Sequence, residues 1–188
     1  MLSVIVCSRK GPAYVDHWQN VATTIGVAHE YVAIDNSTDR FGICAAYNQG
    51  VDRAQGDLLV FVHEDAFFLE PGWGVILERK FHQDSSVGLV GVAGTQYLFA
   101  DDMRWFAAGR PFLRGRVLHE LDGGRRMILT VFSWDKADAE VVAVDGLFLA
   151  VRAGLFRTIR FDEVTFPGFH FYDLDICMQV RRSHRCIV

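Results

Sequence analysis

The sequence lacks the patterns that would assign its 188 residues to several common classes. No apolar run approaches the roughly 20 residues that a membrane-spanning helix requires. Met1 to Val6 enters a strand-like run directly, without the charged region and cleavage site of a signal peptide. The net charge is -4 and no cluster of Lys and Arg marks a nucleic-acid-binding surface. We therefore expect neither a transmembrane segment nor a nucleic-acid partner.

Cysteine is scarce, with four residues at Cys7, Cys44, Cys177 and Cys186. Their scattered positions give no paired spacing for zinc and no framework for disulfides. Reduced thiols in a cytoplasmic protein are the simplest interpretation.

Several catalytic fingerprints are also absent. There is no Gly-x-Gly-x-x-Gly motif after the first apolar run, no phosphate-binding P-loop and no Gly-x-Ser-x-Gly elbow, so dinucleotide redox enzymes, P-loop hydrolases and the commonest serine hydrolases lose their best support. Composition is that of a globular protein, 51% hydrophobic and 22% charged, without internal repeats. One domain covering residues 1–188 is long enough to bury a core.

The most informative stretch present is Leu58 to Val62, an apolar run that stops abruptly on His63, Glu64 and Asp65. Such a run is typical of a central strand buried on both faces. Open α/β sheets bind ligands at the C-terminal ends of parallel strands, and carboxylates there suit a divalent cation and a phosphate-bearing substrate. The alternative is a strand that simply ends in solvated polar residues.

The hydrophobic period alternates between strand and helix through the first half of the chain. Helical patterns begin near Tyr14, Ile43 and Pro71, and a turn is predicted at Gly11 and Pro12. Strands are predicted at residues 3–7, 31–34, 58–62 and 87–92. This order predicts an α/β fold with a doubly wound, mostly parallel central sheet flanked by helices.

The second half is less regular. Residues 94–140 carry many aromatic residues without a clean period, which indicates a long functional loop with room for a few edge strands. Strands return at 141–144 and 148–151, and a last helix begins near Asp173. The aromatic residues Trp105, Trp134 and Phe169 either stack on sugars or belong to the core.

Acidic residues recur where the predicted strands and loops end: Asp35, Glu64 with Asp65, Asp145, and Asp173 with Asp175. If the sheet brings these ends together, one cleft holds most of the carboxylates.

An ordered set of short motifs carries a family resemblance over nearly the whole chain. The motifs are Ser3-Val-Ile-Val-Cys-Ser8, Ile34-Asp-Asn-Ser37, Gly42-Ile-Cys-Ala-Ala-Tyr-Asn-Gln-Gly50, Ala54-Gln-Gly-Asp57, His63-Glu-Asp65, Asp145-Gly146, Phe161-Asp-Glu163 and Tyr172-Asp-Leu-Asp-Ile-Cys177. In this order they resemble the GT-A glycosyltransferases, close to the family 2 nucleotide-sugar transferases. The resemblance implies a single Rossmann-like GT-A domain and a metal-dependent, inverting glycosyltransferase, for instance a hexosyltransferase.

The resemblance also implies a donor site. Asp35 would bind the base or ribose, although an Asp before Ser37 is also an ordinary turn residue. Asp65 would bind Mn²⁺ or Mg²⁺ at the diphosphate of the donor. Ser8, Asn48 and Glu64 would complete the nucleotide-binding set.

For the transfer step, the resemblance assigns Asp173 as the general base that deprotonates the acceptor hydroxyl. An Asp at a helix N-terminus would also be explained by the helix dipole alone. Asp145, His170 and Asp175 are weaker candidates for sugar or acceptor contacts, and His170 is as well explained by packing among aromatic residues. The chain departs from the pattern twice: His63 replaces the first acidic residue of the metal motif, and Tyr172 replaces the Glu before the base.

The expected partners are a nucleoside diphosphate sugar and a hydroxyl-bearing acceptor, a glycan or lipid-linked sugar, in a pathway such as bacterial polysaccharide synthesis. Residues 1–93 would bind the nucleotide and 94–188 would carry the acceptor and catalytic groups. Because the sequence stops soon after the last helix, we expect a minimal transferase, a truncated one or a catalytically weak relative. The alternatives are a catalytically silent nucleotide-sugar-binding module and a sugar nucleotidyltransferase. For the latter, Ser8-Arg9-Lys10-Gly11 is only a weak match to the expected phosphate-binding loop.

Overall fold

The computed structural model describes residues 1–10 and 14–188, so the predicted turn at Gly11 and Pro12 lies outside the described residues. The first half alternates strand and helix as predicted. Its elements are β1 (Leu2–Ser8), α1 (Val15–Thr24), β2 (His29–Asp35), α2 (Ile43–Arg53), β3 (Leu58–Val62), α3 (Trp73–Gln83) and β4 (Val87–Gly91).

The second half contains short strands, a hairpin and the last helix. Its elements are β5 (Ala93–Thr95), β6 (Leu113–Leu121), β7 (Arg126–Val131), β8 (Glu140–Val141), β9 (Ala143–Val144), β10 (Phe148–Arg152), α4 (Tyr172–Val180) and β11 (Arg185–Ile187). Two short 3₁₀ turns cover Trp105–Ala108 and Ala153–Arg157. The strand predicted at 141–144 is divided between β8 and β9, which lie in different sheets.

The main sheet has seven strands in the order β2-β1-β3-β10-β4-β11-β8. β1 runs parallel to β2 and β3, and β11 runs parallel to β4, which confirms the mostly parallel α/β sheet. β10 is antiparallel to both β3 and β4 and lies between them. Phe148, the first residue of β10, is paired with Val62, the last residue of β3. The turn that precedes β10 is therefore placed beside the residues that follow β3.

Alternate side chains of the sheet pack into two apolar layers, which explains why β3 and residues 4–7 of β1 are apolar without interruption. Ile5 and Phe61 pack with α2 and α4 on one face. Val4 and Val60 pack with α1 and α3 on the other. The ring of Tyr47 on α2 lies 4.9 Å from that of Phe61, centroid to centroid. The layers hold the sheet rigidly from both sides, so the strand ends have fixed positions.

The segment 94–140 is more regular than the sequence predicted. β6 and β7 form an antiparallel hairpin and belong to a second sheet of order β7-β6-β5-β9. The hairpin lacks the alternating pattern that marks a half-buried strand, because Leu113 is the only buried residue of β6 and β7 and the others are half-buried or exposed. Its turn contains Asp122, Gly123 and Gly124, all with positive φ. Among the described residues, no helix is both long and apolar enough to cross a bilayer.

Candidate active site

The carboxyl ends of β1 and β2 lie side by side, with Ser8 in register with Asp35. Asp35 is exposed, and its Oδ1 accepts a hydrogen bond from the backbone N–H of Ser37 at 3.0 Å. That hydrogen bond lowers the pKa of Asp35. Asp35 thus makes the turn that its position before Ser37 suggested, and it presents an ionised carboxylate at the edge of the sheet.

Glu64 connects the C-terminal end of β3 to the loop that follows β1. The Ser8 hydroxyl donates to Glu64 Oε2 at 2.7 Å, and the backbone N–H groups of Arg9 and Lys10 donate to Oε1 and Oε2 at 3.2 and 3.3 Å. Ser8 and Glu64, both predicted to bind nucleotide, are therefore brought together and bonded to each other. Both carboxylate oxygens of Glu64 are already engaged in holding the loop after β1.

Asp65 follows directly and is exposed, with no hydrogen bond to the described residues. Within residues 1–10 and 14–188, no three His, Cys, Asp or Glu side chains are arranged to hold a metal ion. Glu64 is used by the β1 loop and His63 by another contact, so the donor set does not form a complete cation site in the protein alone. It does fit a cation that is shared with a diphosphate, since Mg²⁺ is commonly held by one or two carboxylates together with substrate phosphates.

The two positions at which the chain departs from the expected motifs contact each other. A hydrogen bond of 2.7 Å joins His63 Nε2 and Tyr172 Oη. Tyr172 is buried at the first residue of α4, and burial raises the pKa of its hydroxyl. The backbone N–H of His63 donates to the carbonyl of Leu147 at 3.2 Å. The start of α4 is thereby connected to the end of β3 and to the turn before β10.

Gly146 leaves the space that the hydroxyl group of Tyr172 occupies. A Cβ atom on residue 146 would lie 2.0 Å from Tyr172 Oη, a distance that only glycine avoids. The Val-Asp-Gly stretch was noted for Asp145 in the sequence, whereas the requirement for Gly146 depends on the position of Tyr172 and was missed.

Asp173 lies in the first turn of α4 and is held by two backbone groups. Its Oδ2 accepts from the N–H of Gly146 at 3.1 Å and its Oδ1 from the N–H of Leu174 at 2.9 Å. Burial is the main cause that raises the pKa of Asp173, and the negative charge of Asp145 raises it further. The helix dipole alone would stabilise the ionised carboxylate of Asp173 and so lower its pKa. It therefore explains neither the raised pKa nor the hydrogen bond from Gly146.

Asn48 and Asp175 lie elsewhere. Asn48 on α2 donates through Nδ2 to the carbonyl of Phe161 at 2.9 Å and accepts through Oδ1 from the N–H of Phe161 at 3.2 Å. Asp175 accepts from Gln179 Nε2 at 2.7 Å. The two residues line adjoining open clefts, of about 580 Å³ and 830 Å³, which include none of the residues at the ends of β1, β2 and β3. Asn48 and Asp175 are therefore separated from the carboxylates at the ends of β1, β2 and β3.

The loop that leads to α4 contacts the residue after β1 and the first residue of α2. The Phe169 ring centroid is 6.0 Å from Arg9 Cζ, and the backbone N–H of Ile43 donates to the carbonyl of Gly168 at 3.0 Å. His170 is exposed, so its interpretation as a packed histidine was wrong. Residues 167–171 are exposed, whereas Phe166 is half-buried against the core.

The three aromatic residues considered for sugar stacking are not part of the core. Trp134 and Phe169 are exposed, and Trp105 is half-buried against Phe132 with ring centroids 5.1 Å apart.

Taken together, the mostly parallel sheet and the carboxylates at its C-terminal edge define a GT-A type α/β protein. A family model described as "Glycosyltransferase like family" matches residues 3–188. The chain belongs to this family, within the family 2 glycosyltransferases of the GT-A fold.

Solved structures with the same fold are distant in sequence. The A197 protein from STIV matches with a TM-score of 0.56 and 14% identity, over 98% of this chain and 80% of that one. TarS residues 1–349 from S. aureus match with a TM-score of 0.55 and 13% identity, over 100% of this chain and 57% of that one. CMP:2-keto-3-deoxy-manno-octonic acid synthetase complexed with CTP matches with a TM-score of 0.51 and 8% identity, over 98% and 87%. No curated protein matches the chain.

Proposed function

We propose that this chain transfers a sugar from a nucleoside diphosphate sugar to a hydroxyl group of an acceptor, with inversion at the anomeric carbon. The observation that carries the proposal is Asp173, a carboxylate of raised pKa fixed by the N–H of Gly146 at the edge where the strands end. A general base works best when its pKa lies near the working pH, and burial moves Asp173 in that direction. Asp173 would take the proton of the acceptor hydroxyl as its oxygen attacks the sugar.

The donor nucleotide would lie across the ends of β1, β2 and β3. Asp35 would accept hydrogen bonds from the base or ribose with the oxygen that Ser37 does not use. Ser8 and Glu64 would line the site and fix the loop after β1, and Asn48 would contribute through the loop it holds rather than by direct contact.

Asp65 would hold a Mn²⁺ or Mg²⁺ ion that arrives with the diphosphate. Such an ion supplies positive charge that stabilises the departing diphosphate. A single exposed carboxylate binds a divalent ion weakly by itself, so nucleotide and cation should bind cooperatively.

The acceptor would approach from the side formed by residues 94–188, with Asp145 beside the base and His170 and Asp175 as further candidates for sugar contacts. A glycan or a lipid-linked sugar in polysaccharide synthesis is the expected acceptor, and a hexosyl group is the group that we expect to be transferred. All four cysteines carry free, buried thiols, which supports a cytoplasmic location.

A thermal-shift panel of nucleoside diphosphates, with and without Mn²⁺, tests the donor site. A ligand at a hundred times its dissociation constant stabilises the folded state by about 2.7 kcal/mol. We expect the largest shift when nucleotide and Mn²⁺ are present together and a small one with Mn²⁺ alone. Asp65→Ala should remove the cation-dependent part, and Asp35→Ala should weaken nucleotide binding by about 1.5–3 kcal/mol with or without cation.

Equal shifts with and without Mn²⁺ in the parent and in Asp65→Ala would refute the cation assignment. Release of nucleoside diphosphate from a nucleotide sugar, measured with candidate acceptors, then tests transfer itself.

The second candidate is a nucleotide-sugar-binding module without turnover. It is favoured by the hydrogen bond between His63 and Tyr172, because the resemblance expects carboxylates at both of these positions. A parent protein that binds nucleotide well yet neither transfers nor hydrolyses the sugar would support it. The nucleotidyltransferase alternative has less support, because Arg9 and Lys10 direct their backbone N–H groups at Glu64, where a phosphate loop would direct them at the substrate.

A further inference from the structure

The hairpin formed by β6 and β7 exposes large apolar side chains. Met127 and Leu129 are 53% and 58% exposed, and Trp134, just after the hairpin, is 74% exposed. Ile128 and Leu118 are exposed as well. Apolar residues scattered singly over a surface are ordinary, but several close together on one exposed hairpin are typical of an interaction site.

The apolar side chains lie on both faces of the hairpin. Leu118 is paired with Leu129, and side chains directly opposite each other share a face. Ile128 is paired with His119, so it points to the other face. A rigid partner with a flat surface would cover one face and leave the other in water, whereas the interfacial layer of a bilayer surrounds an inserted element.

The hairpin is also basic within an acidic protein. Residues 110–131 contain five arginines against Glu120 and Asp122, a net charge of +3, whereas the whole chain carries -4, so the remaining residues carry -7. Arg116 donates to the carbonyl of Trp134 at 2.8 Å and Arg114 to that of Leu113 at 2.9 Å, contacts that leave the positive charges unneutralised. Arg126 is paired with Asp122. Residues 110–131 therefore form a locally basic segment of an acidic protein.

We infer that the β6–β7 hairpin binds the surface of an anionic lipid bilayer. The apolar side chains enter the interfacial layer, Trp134 lies at the level of the headgroups, and the arginines contact anionic lipids. The outer edge of β7 pairs with no strand among residues 1–10 and 14–188. Its N–H and C=O groups need water or headgroups as partners, so insertion is shallow. The inference goes beyond the proposed transfer reaction and does not depend on it.

Vesicle flotation of the full chain tests this directly, with neutral phosphatidylcholine vesicles and vesicles that also contain phosphatidylglycerol. We expect binding to the anionic vesicles, with a preference over neutral ones on the order of 100-fold. Each net positive charge near an anionic surface contributes a factor of about five, and residues 110–131 carry a net charge of +3. Rising salt should weaken binding.

Two variants assign the binding to the hairpin. Met127→Thr, Ile128→Thr and Leu129→Thr together keep β-forming residues on an exposed strand and should abolish flotation. Arg125→Gln with Arg126→Gln, at the turn, should reduce anionic binding by about 25-fold and leave the apolar contribution intact. As matched controls, Leu69→Thr and Val164→Thr change other exposed apolar residues and should float like the parent. Circular dichroism verifies that each variant is folded.

Failure of the parent to float, or flotation unaffected by the threonine variant, would overturn the inference. Sedimentation equilibrium provides the remaining outcome. A parent that forms dimers which the threonine variant loses, without binding vesicles, would make β7 an interface between copies of the chain and would also overturn it.

Discussion

At the scale of single residues, the His63–Tyr172 contact changes the charge at the edge of the sheet. The resemblance expects acidic side chains at both positions, and here a neutral hydroxyl and an imidazole satisfy each other. Burial raises the pKa of the Tyr172 hydroxyl, which therefore stays protonated and can donate to Nε2 of His63. The site keeps Asp65 as its exposed carboxylate after β3, which is why we expect the cation to depend on the nucleotide.

This contact should be measurable as a coupling energy. His63→Ala and Tyr172→Phe, made singly and together, form a double-mutant cycle in urea-induced unfolding. We expect a coupling of about 0.5–1.5 kcal/mol, the range for a typical intramolecular hydrogen bond. His82→Ala paired with Tyr172→Phe is the matched control and should show none, since His82 lies on α3, on the other side of the sheet. Full additivity of His63→Ala and Tyr172→Phe would mean that the two side chains do not interact in solution.

The second residue-scale prediction concerns Asp173. Asp173→Asn keeps the size of the side chain and cannot accept the proton, so sugar transfer should fall by about 10²–10⁴-fold while nucleotide binding survives. A base acts only when ionised, and the pKa of Asp173 is raised, so transfer by the parent should decline on acidification at a higher pH than an ordinary aspartate would cause. Rates of transfer measured across pH for both proteins test this.

Stability offers a control for the same variant. A carboxyl group whose pKa is raised in the folded state disfavours folding once the pH exceeds its unfolded pKa, because ionisation is then easier in the unfolded chain. Asp173→Asn removes that cost at neutral pH, so its unfolding free energy should be maintained there. A loss of transfer accompanied by a collapse of stability would assign Asp173 a structural role.

At the scale of elements, Asn48 attaches α2 to the segment after β10. Its side chain makes two hydrogen bonds to the backbone of Phe161, whose ring packs 5.3 Å from that of Tyr47, centroid to centroid. Asn48→Ala should therefore lower the unfolding free energy by about 1–3 kcal/mol, since it leaves backbone groups without partners. Gln49→Ala, one position along the same helix, should cost much less. If Asn48→Ala instead weakens nucleoside diphosphate binding at unchanged stability, the direct nucleotide contact implied by the resemblance is correct.

The elements also show which parts of the fold the sequence could predict. β3 and the carboxylates after it were predictable, because an apolar run that ends on charged residues reflects local chemistry. The β6–β7 hairpin was not, because its side chains alternate between two solvent-exposed faces and leave no periodic burial. β10 was predicted as a strand at residues 148–151, but its antiparallel direction was not. Phe148 to Val151 are apolar in the same way as a parallel strand, and direction is set by the connections.

The same limit applies to the candidate site. Asp35, Glu64, Asp65, Asp145 and Asp173 were found as polar residues at strand and loop ends, which is a local signal. The hydrogen bonds from Ser8 to Glu64 and from Gly146 to Asp173 were not predicted. They join segments that are distant in the sequence. No spacing along the chain reports such contacts.

At the scale of the whole molecule, the two proposed halves share one sheet. β10, from the second half, is hydrogen-bonded to β3 and β4 of the first, and β11 covers the other edge of β4. One apolar layer joins Phe61 of β3 to Phe156, Phe161 and Tyr172 of the second half. A nucleotide-binding half and an acceptor half can therefore be distinct in function without being separate in structure.

We accordingly predict that residues 1–93 do not fold alone. Without β10 and β11, β4 loses both strands that pair with it, and Phe61 and Tyr47 both lose the ring of Phe161 that packs against them. Circular dichroism should show no cooperative thermal transition for this fragment, and its amide NMR spectrum should be poorly dispersed. The matched control is the full chain with residues 118–129 replaced by a two-residue turn, which removes only the outer part of the hairpin and should unfold cooperatively. A cooperative 1–93 fragment that binds nucleoside diphosphate would contradict us, because it would place the complete donor site in a half that is stable by itself.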